Sequence, residues 1–128
     1  MKTIRIFLLF VVVSMAIGAC EKDNFGTPPI DPNKIVSFSN DLIPLFAANC
    51  AKSGCHVTGS QTPDLTAANA YDQLTGLGYV PTDKTGAETC KLYVRMTSFS
   101  NPMPKSGILP AAQSNLVLSW IRQGAQNN

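Results

Sequence analysis

Two cysteines and the only histidine of the chain stand close together in the segment NCAKSGCH, at positions 49–56. Four residues separate Cys50 from Cys55, and His56 directly follows the second cysteine. Two thiols can bond the two vinyl groups on one edge of a porphyrin, and a neighbouring imidazole can reach the iron from one face. The pattern therefore predicts covalent attachment of haem c through Cys50 and Cys55, with His56 as an iron ligand.

The gap between the two cysteines is longer than the usual two residues of haem attachment motifs. The intervening loop must bulge, and Gly54 favours this because glycine adopts backbone angles forbidden to other residues. The longer gap leaves two arrangements open. Either both cysteines form thioethers, or Cys55 alone holds the haem while Cys50 pairs with Cys90.

Three other uses of these residues compete with haem attachment. A Cys50–Cys55 disulfide would leave His56 as a surface residue, with no role for the unique histidine. A zinc site from Cys50, Cys55, His56 and Cys90 has the right composition, but adjacent Cys55 and His56 would converge on one metal with difficulty, and exported thiols face oxidation. A catalytic cysteine–histidine pair is disfavoured because adjacent residues rarely present nucleophile and base to each other.

A methionine in a proline-rich loop is the candidate for the opposite face of the iron. Met103 lies between Pro102 and Pro104, and flanking prolines stiffen a loop and lower the entropy cost of presenting a thioether. Met96 is the rival, but its place on an apolar helical stripe favours core packing. The sequence therefore predicts Met103 as the second axial ligand.

The elements around these residues are predicted to be helices. Apolar spacing and helix-ending residues indicate four of them, at about 39–49, 66–74, 87–96 and 111–123. Ser39 or Asn40 is the expected cap of the first helix, in which Pro44 is tolerable within the first turn, and Thr66 is the expected cap of the second. No alternating segment is long enough to predict a strand. The expected fold is a small all-α domain of about four helices around one haem.

Several large apolar residues of these helices are expected to pack against the haem, because a chain of about 100 ordered residues has little core of its own. These residues are Phe46, Leu92, Tyr93, Leu116 and Trp120.

The beginning of the chain has the pattern of a lipoprotein export signal. Basic residues precede an apolar run too short to span a bilayer comfortably, and small residues lead into Cys20. The prediction is a signal peptide at 1–19, lipidation at Cys20, a flexible tether at 20–38 and a folded domain at 39–126. An ordinary cleaved signal with an incidental cysteine is the alternative.

The charge balance of the chain argues against nucleic acid as a partner. Of ten Lys and Arg residues, removal of Lys2 and Arg5 with the signal peptide leaves eight, against eight Asp and Glu residues. A near-neutral chain without a basic cluster gives no electrostatic footprint for nucleic acid. Export also favours cysteine pairing, but Cys50, Cys55 and Cys90 are an odd number once Cys20 is lipidated.

With these motifs in view, residues from about 41 to 124 resemble a class I monohaem cytochrome c domain, in a bacterial variety with four residues between the haem cysteines. The resemblance rests on the segments DLIPLFAANC, NCAKSGCH, KLY, MP and WIRQGA. It implies that His56 is the proximal ligand, that Met103 is the distal ligand, and that the protein carries electrons.

The function expected from the sequence is single-electron transfer by a c-type cytochrome with His/Met ligation of its iron, and not enzymatic catalysis. The expected partners are redox proteins and, through the lipid on Cys20, a bacterial membrane. The protein would face the periplasm or the cell surface as a monomer. The alternative is an exported lipoprotein binding module without haem, stabilised by a disulfide or a Cys/His zinc site.

Overall fold

The computed structural model describes residue 31 and residues 33–128. The predicted signal peptide, the lipidation site Cys20 and most of the predicted tether lie outside the described residues. The described part of the chain is a small all-α domain with four α-helices and no strand. Within the same part of the chain, no helix combines the length and the apolar character needed to cross a membrane.

The helices are short and separated by long loops. A π-helical turn at Phe38–Leu42 leads directly into α1, Ile43–Asn49. The remaining helices are α2, Ala70–Gly76, then α3, Lys91–Thr97, and α4, Ala111–Arg122. The prediction of four helices is confirmed, and each helix ends within two residues of its expected end. The starts of the first three helices differ from those expected.

The first helical segment begins earlier than expected because Ser37 caps it. The Ser37 hydroxyl accepts a hydrogen bond from the N–H of Asn40 at 3.1 Å, so neither Ser39 nor Asn40 is the cap. Pro44 lies in the first turn of α1, but the π-helical turn at Phe38–Leu42 precedes that helix directly, so Pro44 is not in the first turn of the whole helical segment.

The second and third helices begin later than expected, and the cause is local. The Thr66 hydroxyl, which was the expected cap of the second helix, donates instead to the Asp64 carboxylate at 2.6 Å, and α2 starts only at Ala70. Cys90 has an extended backbone with ψ of 152°. Since an extended residue cannot continue a helix, α3 begins at Lys91.

Aromatic rings from both ends and from the middle of the described chain meet in the hydrophobic core. The Phe38 ring lies 5.1 Å from that of Trp120, 5.4 Å from that of Tyr71 and 6.3 Å from that of Phe46, measured between centroids. Aromatic pairs at such distances stabilise the fold beyond the contribution of the apolar surface that they bury. The largest fully buried side chains are Trp120, Phe46, Leu42, Leu74, Ile121, Val36 and Val117.

The segment before position 39 packs onto the last residues of the chain. Val36 and Phe38 are buried, with 1% and 3% of their surface exposed. The Val36 N–H donates to Gln123 Oε1 at 2.9 Å, and the Phe38 N–H donates to Asn128 Oδ1 at 2.8 Å. The packed structure therefore begins before the expected domain boundary at 39, because two apolar side chains of the expected tether enter the core.

Candidate functional site

A cavity of about 420 Å³ lies between the loop that follows α1 and helix α3. Pockets for small ligands and cofactors span about 300–1,000 Å³. Its lining includes all four predicted site residues and the rival methionine, which are Cys50, Cys55, His56, Met103 and Met96. The structure thus brings together residues that are up to 53 positions apart, from 50 to 103, in the sequence.

Backbone hydrogen bonds fold the longer cysteine loop so that both thiols line the same cavity. The Cys55 N–H donates to the Lys52 carbonyl at 2.8 Å, and the His56 N–H donates to the Cys50 carbonyl at 3.2 Å. Gly54 has φ of +76°, which confirms the expected glycine conformation. The four-residue gap is therefore compatible with two thiols at one cavity wall.

The three described cysteines are free thiols. Burial, with a smaller contribution from Cys55, raises the pKa of Cys50 to about 11, so this thiol is protonated at neutral pH. Cys90 precedes α3 and is not part of the cavity lining. Within the described residues, neither the Cys50–Cys55 disulfide nor the Cys50–Cys90 disulfide is formed.

The imidazole of His56 is held by one hydrogen bond to a backbone carbonyl. Its Nδ1 atom lies 2.9 Å from the carbonyl oxygen of Pro63. Because a carbonyl only accepts, Nδ1 must carry the proton, and Nε2 of the neutral ring keeps its lone pair. Metal-bound histidines are oriented in this way, with the second ring nitrogen donating to a carbonyl or carboxylate. The half-buried ring is therefore ready to offer Nε2 to a metal.

Pro63 is a residue of the site that the sequence did not predict. The residue is buried and lines the cavity, and its contact with His56 uses only its carbonyl oxygen. Every residue has such an oxygen, so the residue type carries no signal for this role. Only the path of the loop brings this carbonyl to the imidazole.

Two methionines border the cavity. Met103 is half-buried in the loop at 98–110, and its N–H donates to the Arg95 carbonyl near the end of α3 at 2.8 Å. Met96 belongs to α3 and is only 2% exposed. Met96 is thus a core residue, as expected, but it also lines the cavity beside Met103.

The charged residues of the cavity lining are all basic. They are Lys91, Arg95 and Lys105, and no Asp or Glu belongs to the lining. None of the three forms an ion pair with a described residue, since the ion pairs found there involve Lys34 and Arg122. An apolar cavity with unpaired basic side chains suits a ligand that carries anionic groups. This basic lining was not predicted from the sequence, because Lys and Arg side chains usually face solvent.

Most of the large apolar residues expected at the haem lie elsewhere. Of Phe46, Leu92, Tyr93, Leu116 and Trp120, only Leu92 lines the cavity. Trp120 packs against the Phe38 ring, and its indole N–H donates to the Gln126 carbonyl at 2.8 Å. The expectation placed these residues at the cavity because the apolar contribution of the segment before 39 was not foreseen. Tyr79, which was not among the residues expected at the haem, does line the cavity.

The described residues contain no group of three or more His, Cys, Asp or Glu side chains placed to hold a metal ion. The four residues of the zinc alternative, Cys50, Cys55, His56 and Cys90, are all among those described. They therefore do not converge as a tetrahedral zinc site requires.

Fold and site together define, for the described residues, a small all-α domain with a cavity bordered by two thiols, one imidazole and two thioethers. Comparison with known proteins assigns no family to the chain, because no family model, curated protein or solved structure matches it significantly.

Proposed function

We propose that the protein is a single-electron carrier that holds one covalently attached haem c. The observation that carries the proposal is the convergence of Cys50, Cys55, His56 and Met103 on one cavity. The sequence motif explains why the first three are neighbours, but it does not require a methionine loop to border the same space.

The thiols and the imidazole suit haem attachment. A thiol adds across a vinyl double bond with its sulfur on one carbon and its hydrogen on the other, so two thioethers form without an oxidant. Cys50 and Cys55 would supply these thiols, and His56 would supply Nε2, because its Nδ1 is engaged with the Pro63 carbonyl. Bound haem would supply an iron that alternates between the ferrous and ferric states.

The basic lining suits the other edge of a porphyrin, which carries two carboxylates. Lys91, Arg95 and Lys105 would offer counter-charges through charge-assisted hydrogen bonds. Lys91 is already positioned near an aromatic ring, with its Nζ 5.2 Å from the centroid of Tyr79. The arrangement therefore fits haem in charge as well as in ligand chemistry.

Electron transfer follows from methionine as the second ligand. A thioether from Met103 would fill the position opposite His56 and raise the reduction potential. A filled position leaves no site for oxygen or peroxide, so Met103 favours a carrier over an enzyme. If Met103 does not ligate, the competing function is a gas-binding or peroxide-binding haem protein.

We place the protein, as part of the same proposal, on a bacterial membrane, facing the periplasm or the cell surface. The support is the lipoprotein signal pattern that leads into Cys20. Redox proteins would be its partners, and the monomer its working form.

A haem stain on a denaturing gel tests the proposal, because covalent haem survives denaturation. We expect staining of the protein matured in a host with haem-attachment machinery, and its loss in the double variant Cys50→Ala/Cys55→Ala. Cys90→Ala is the matched control and should stain normally, because Cys90 does not line the cavity. An unstained parent protein would support the non-haem lipoprotein module instead.

The spectrum separates the two haem functions. A low-spin iron with the thioether charge-transfer band is expected for the electron carrier. A high-spin iron at neutral pH would contradict electron transfer and favour ligand binding at the open position.

A further inference from the structure

One carboxylate, that of Asp64, fastens the loop that follows His56. Its Oδ2 atom accepts hydrogen bonds from the Thr58 hydroxyl at 2.6 Å and from Asn69 Nδ2 at 2.8 Å. Its Oδ1 atom accepts from the hydroxyl of Thr66 at 2.6 Å and from the N–H of Thr66 at 2.9 Å. These donors lie on both sides of the loop and directly before α2, so one side chain ties the segments together.

The hydrogen bonds also keep Asp64 charged. They lower the pKa of its carboxyl well below the usual range, with the bond from the Thr58 hydroxyl as the largest cause and those from Thr66 next. Charge-assisted hydrogen bonds are stronger than neutral ones. The contacts with Thr58, Thr66 and Asn69 are therefore of the stronger kind at neutral pH.

The peptide unit between Pro63 and Asp64 is the one that contacts the imidazole. Its carbonyl accepts from His56 Nδ1 at 2.9 Å, and its N–H, which points in the opposite direction within the peptide plane, donates to Gln73 Oε1 at 3.4 Å. The next N–H, that of Leu65, returns to the His56 carbonyl at 2.9 Å. Because a peptide unit is planar, any turn of the backbone at Asp64 also moves the carbonyl that orients His56.

We propose that Asp64 is a positioning residue for His56. By tying Thr58, Thr66 and Asn69 together, it fixes the Pro63–Asp64 peptide so that the carbonyl accepts from Nδ1 and leaves Nε2 available. The inference rests on the proposed function only in treating Nε2 as an iron ligand. Groups that orient a ligating histidine through its second nitrogen also tune its basicity.

Asp64→Asn tests the proposal with little change in shape. An asparagine side chain has one accepting oxygen and one donating NH₂ group. In one orientation the NH₂ faces the donor Asn69 Nδ2, and in the other it faces the donor N–H of Thr66. In either orientation the new NH₂ group faces another donor, so a hydrogen bond is lost and the loop is held less firmly.

Asp83→Asn is the matched control. Asp83 occurs in the same Asp-x-Thr pattern and accepts from the N–H of Thr85 at 3.0 Å and from its hydroxyl at 2.8 Å. The described residues provide it with no donor from another segment, and it does not line the cavity. It thus shares the local turn of Asp64 but not the connection to His56.

The measurements are made on the folded protein that carries covalent haem. We expect the Nδ1 proton of His56 in Asp64→Asn to exchange with solvent roughly tenfold faster than in the parent, since its protecting contact opens more often. The reduction potential should rise, because a less basic imidazole stabilises the ferric state less. Asp83→Asn should match the parent in both measurements.

Equal exchange rates and potentials in Asp64→Asn and the parent would overturn the proposal. If Asp64→Asn does not fold, Thr58→Ala replaces it as the test, because this variant removes one hydrogen-bond donor to Asp64. A parent-like exchange rate of the His56 Nδ1 proton in Thr58→Ala would also overturn the proposal. The proposed function fails separately, through the absence of haem stain. In an unstained protein, the ¹⁵N shifts of the His56 imidazole still report whether Asp64 controls its bond to Pro63.

Discussion

The two sides of the cavity are built differently. On the histidine side, the loop at 56–66 is tied by the Asp64 carboxylate, by the bond from His56 to Pro63, and by the return of the Leu65 N–H to the His56 carbonyl. On the methionine side, the loop at 98–110 is linked to the helices by the bond from the Met103 N–H to the Arg95 carbonyl.

Apart from the Pro110 carbonyl, which accepts from the first turn of α4, the remaining hydrogen bonds of the methionine loop are local to it. The Asn101 N–H donates to Ser98 Oγ at 3.1 Å, Lys105 Nζ donates to Asn101 Oδ1 at 2.6 Å, and the Gly107 N–H donates to the Pro104 carbonyl at 3.1 Å. Phe99, at the start of this loop, is 93% exposed. Local bonds shape a loop but do not fasten it to the domain.

This difference predicts two kinds of ligand. His56 is oriented before any metal is bound, because its ring nitrogen and its loop are already fixed. Met103 depends on one backbone hydrogen bond and on the stiffness of its flanking prolines. In the proposed haem site, a preorganised ligand would therefore face a more adaptable one, and substitutions on the two sides should have unequal effects.

The largest effect is expected from His56→Ala. It removes the only imidazole in the chain, so the low-spin spectrum should be lost completely, whether or not haem remains attached to the cysteines. The measurement is the absorption spectrum of the oxidised and reduced protein. A low-spin spectrum retained in His56→Ala would show that His56 is not an iron ligand. The contrast between a preorganised histidine and an adaptable methionine would then also fail.

Met103→Leu should have the next largest effect. We expect loss of the thioether charge-transfer band and a fall in reduction potential on the order of tenths of a volt, within the ~0.8 V range that axial ligands set. Met96→Leu is the matched control, because it conserves volume at a buried position of the same cavity and should cost less than about 1.5 kcal/mol. If Met96→Leu loses the band instead, Met96 and not Met103 is the ligand.

A pair of glycine substitutions compares the rigidity of the two loops. Gly54 and Gly107 both have positive φ, at +76° and +133°, and an added Cβ would meet no atom within 4 Å at either position. Any loss of stability in the two alanine variants therefore comes from backbone strain. Gly54→Ala should lower the free energy of unfolding by about 1–2 kcal/mol. The φ of Gly107 lies further from the left-handed helical region, so in a rigid loop Gly107→Ala would be the costlier change, whereas in a loop that relaxes it should cost less than Gly54→Ala. Urea denaturation measures both, and a larger cost at Gly107 would argue against the difference in rigidity.

The smallest effect is a dependence on pH that arises on the histidine side. The pKa of Asp64 is lowered in the folded state by hydrogen bonds from Thr58 and Thr66. The stability this gives is present above the unfolded pKa of about 4 and is lost as pH falls below it towards the folded pKa. The parent should lose more unfolding free energy than Asp64→Asn between about pH 4 and pH 2. Parallel acid denaturation curves would show that the carboxylate does not stabilise the loop.

The four helices could be predicted because the local spacing of apolar residues indicates a helix. The ends of α1, α3 and α4 lie where periodic residues stop. The starts of α2 and α3 could not be predicted, because the Thr66 hydroxyl had a competing acceptor in Asp64 and because Cys90 takes an extended conformation. Both causes depend on contacts and backbone angles that a residue type does not specify.

The sequence by itself determined the chemistry of the candidate site. Cys50, Cys55 and His56 are neighbours along the chain, and Met103 stands out because prolines flank it. Residue type and spacing suffice for such a prediction because thiols, imidazole and thioether are chemically distinctive and few in number.

Only the tertiary structure decided how these groups are held. The bond between His56 and the Pro63 carbonyl, the basic lining of the cavity and the burial of Val36 and Phe38 all join segments that are separate in the sequence. A backbone carbonyl has the same chemistry at every residue, and a lysine on a helix usually faces solvent. Their roles arise from the path of the chain, which is set by the packing of the whole domain.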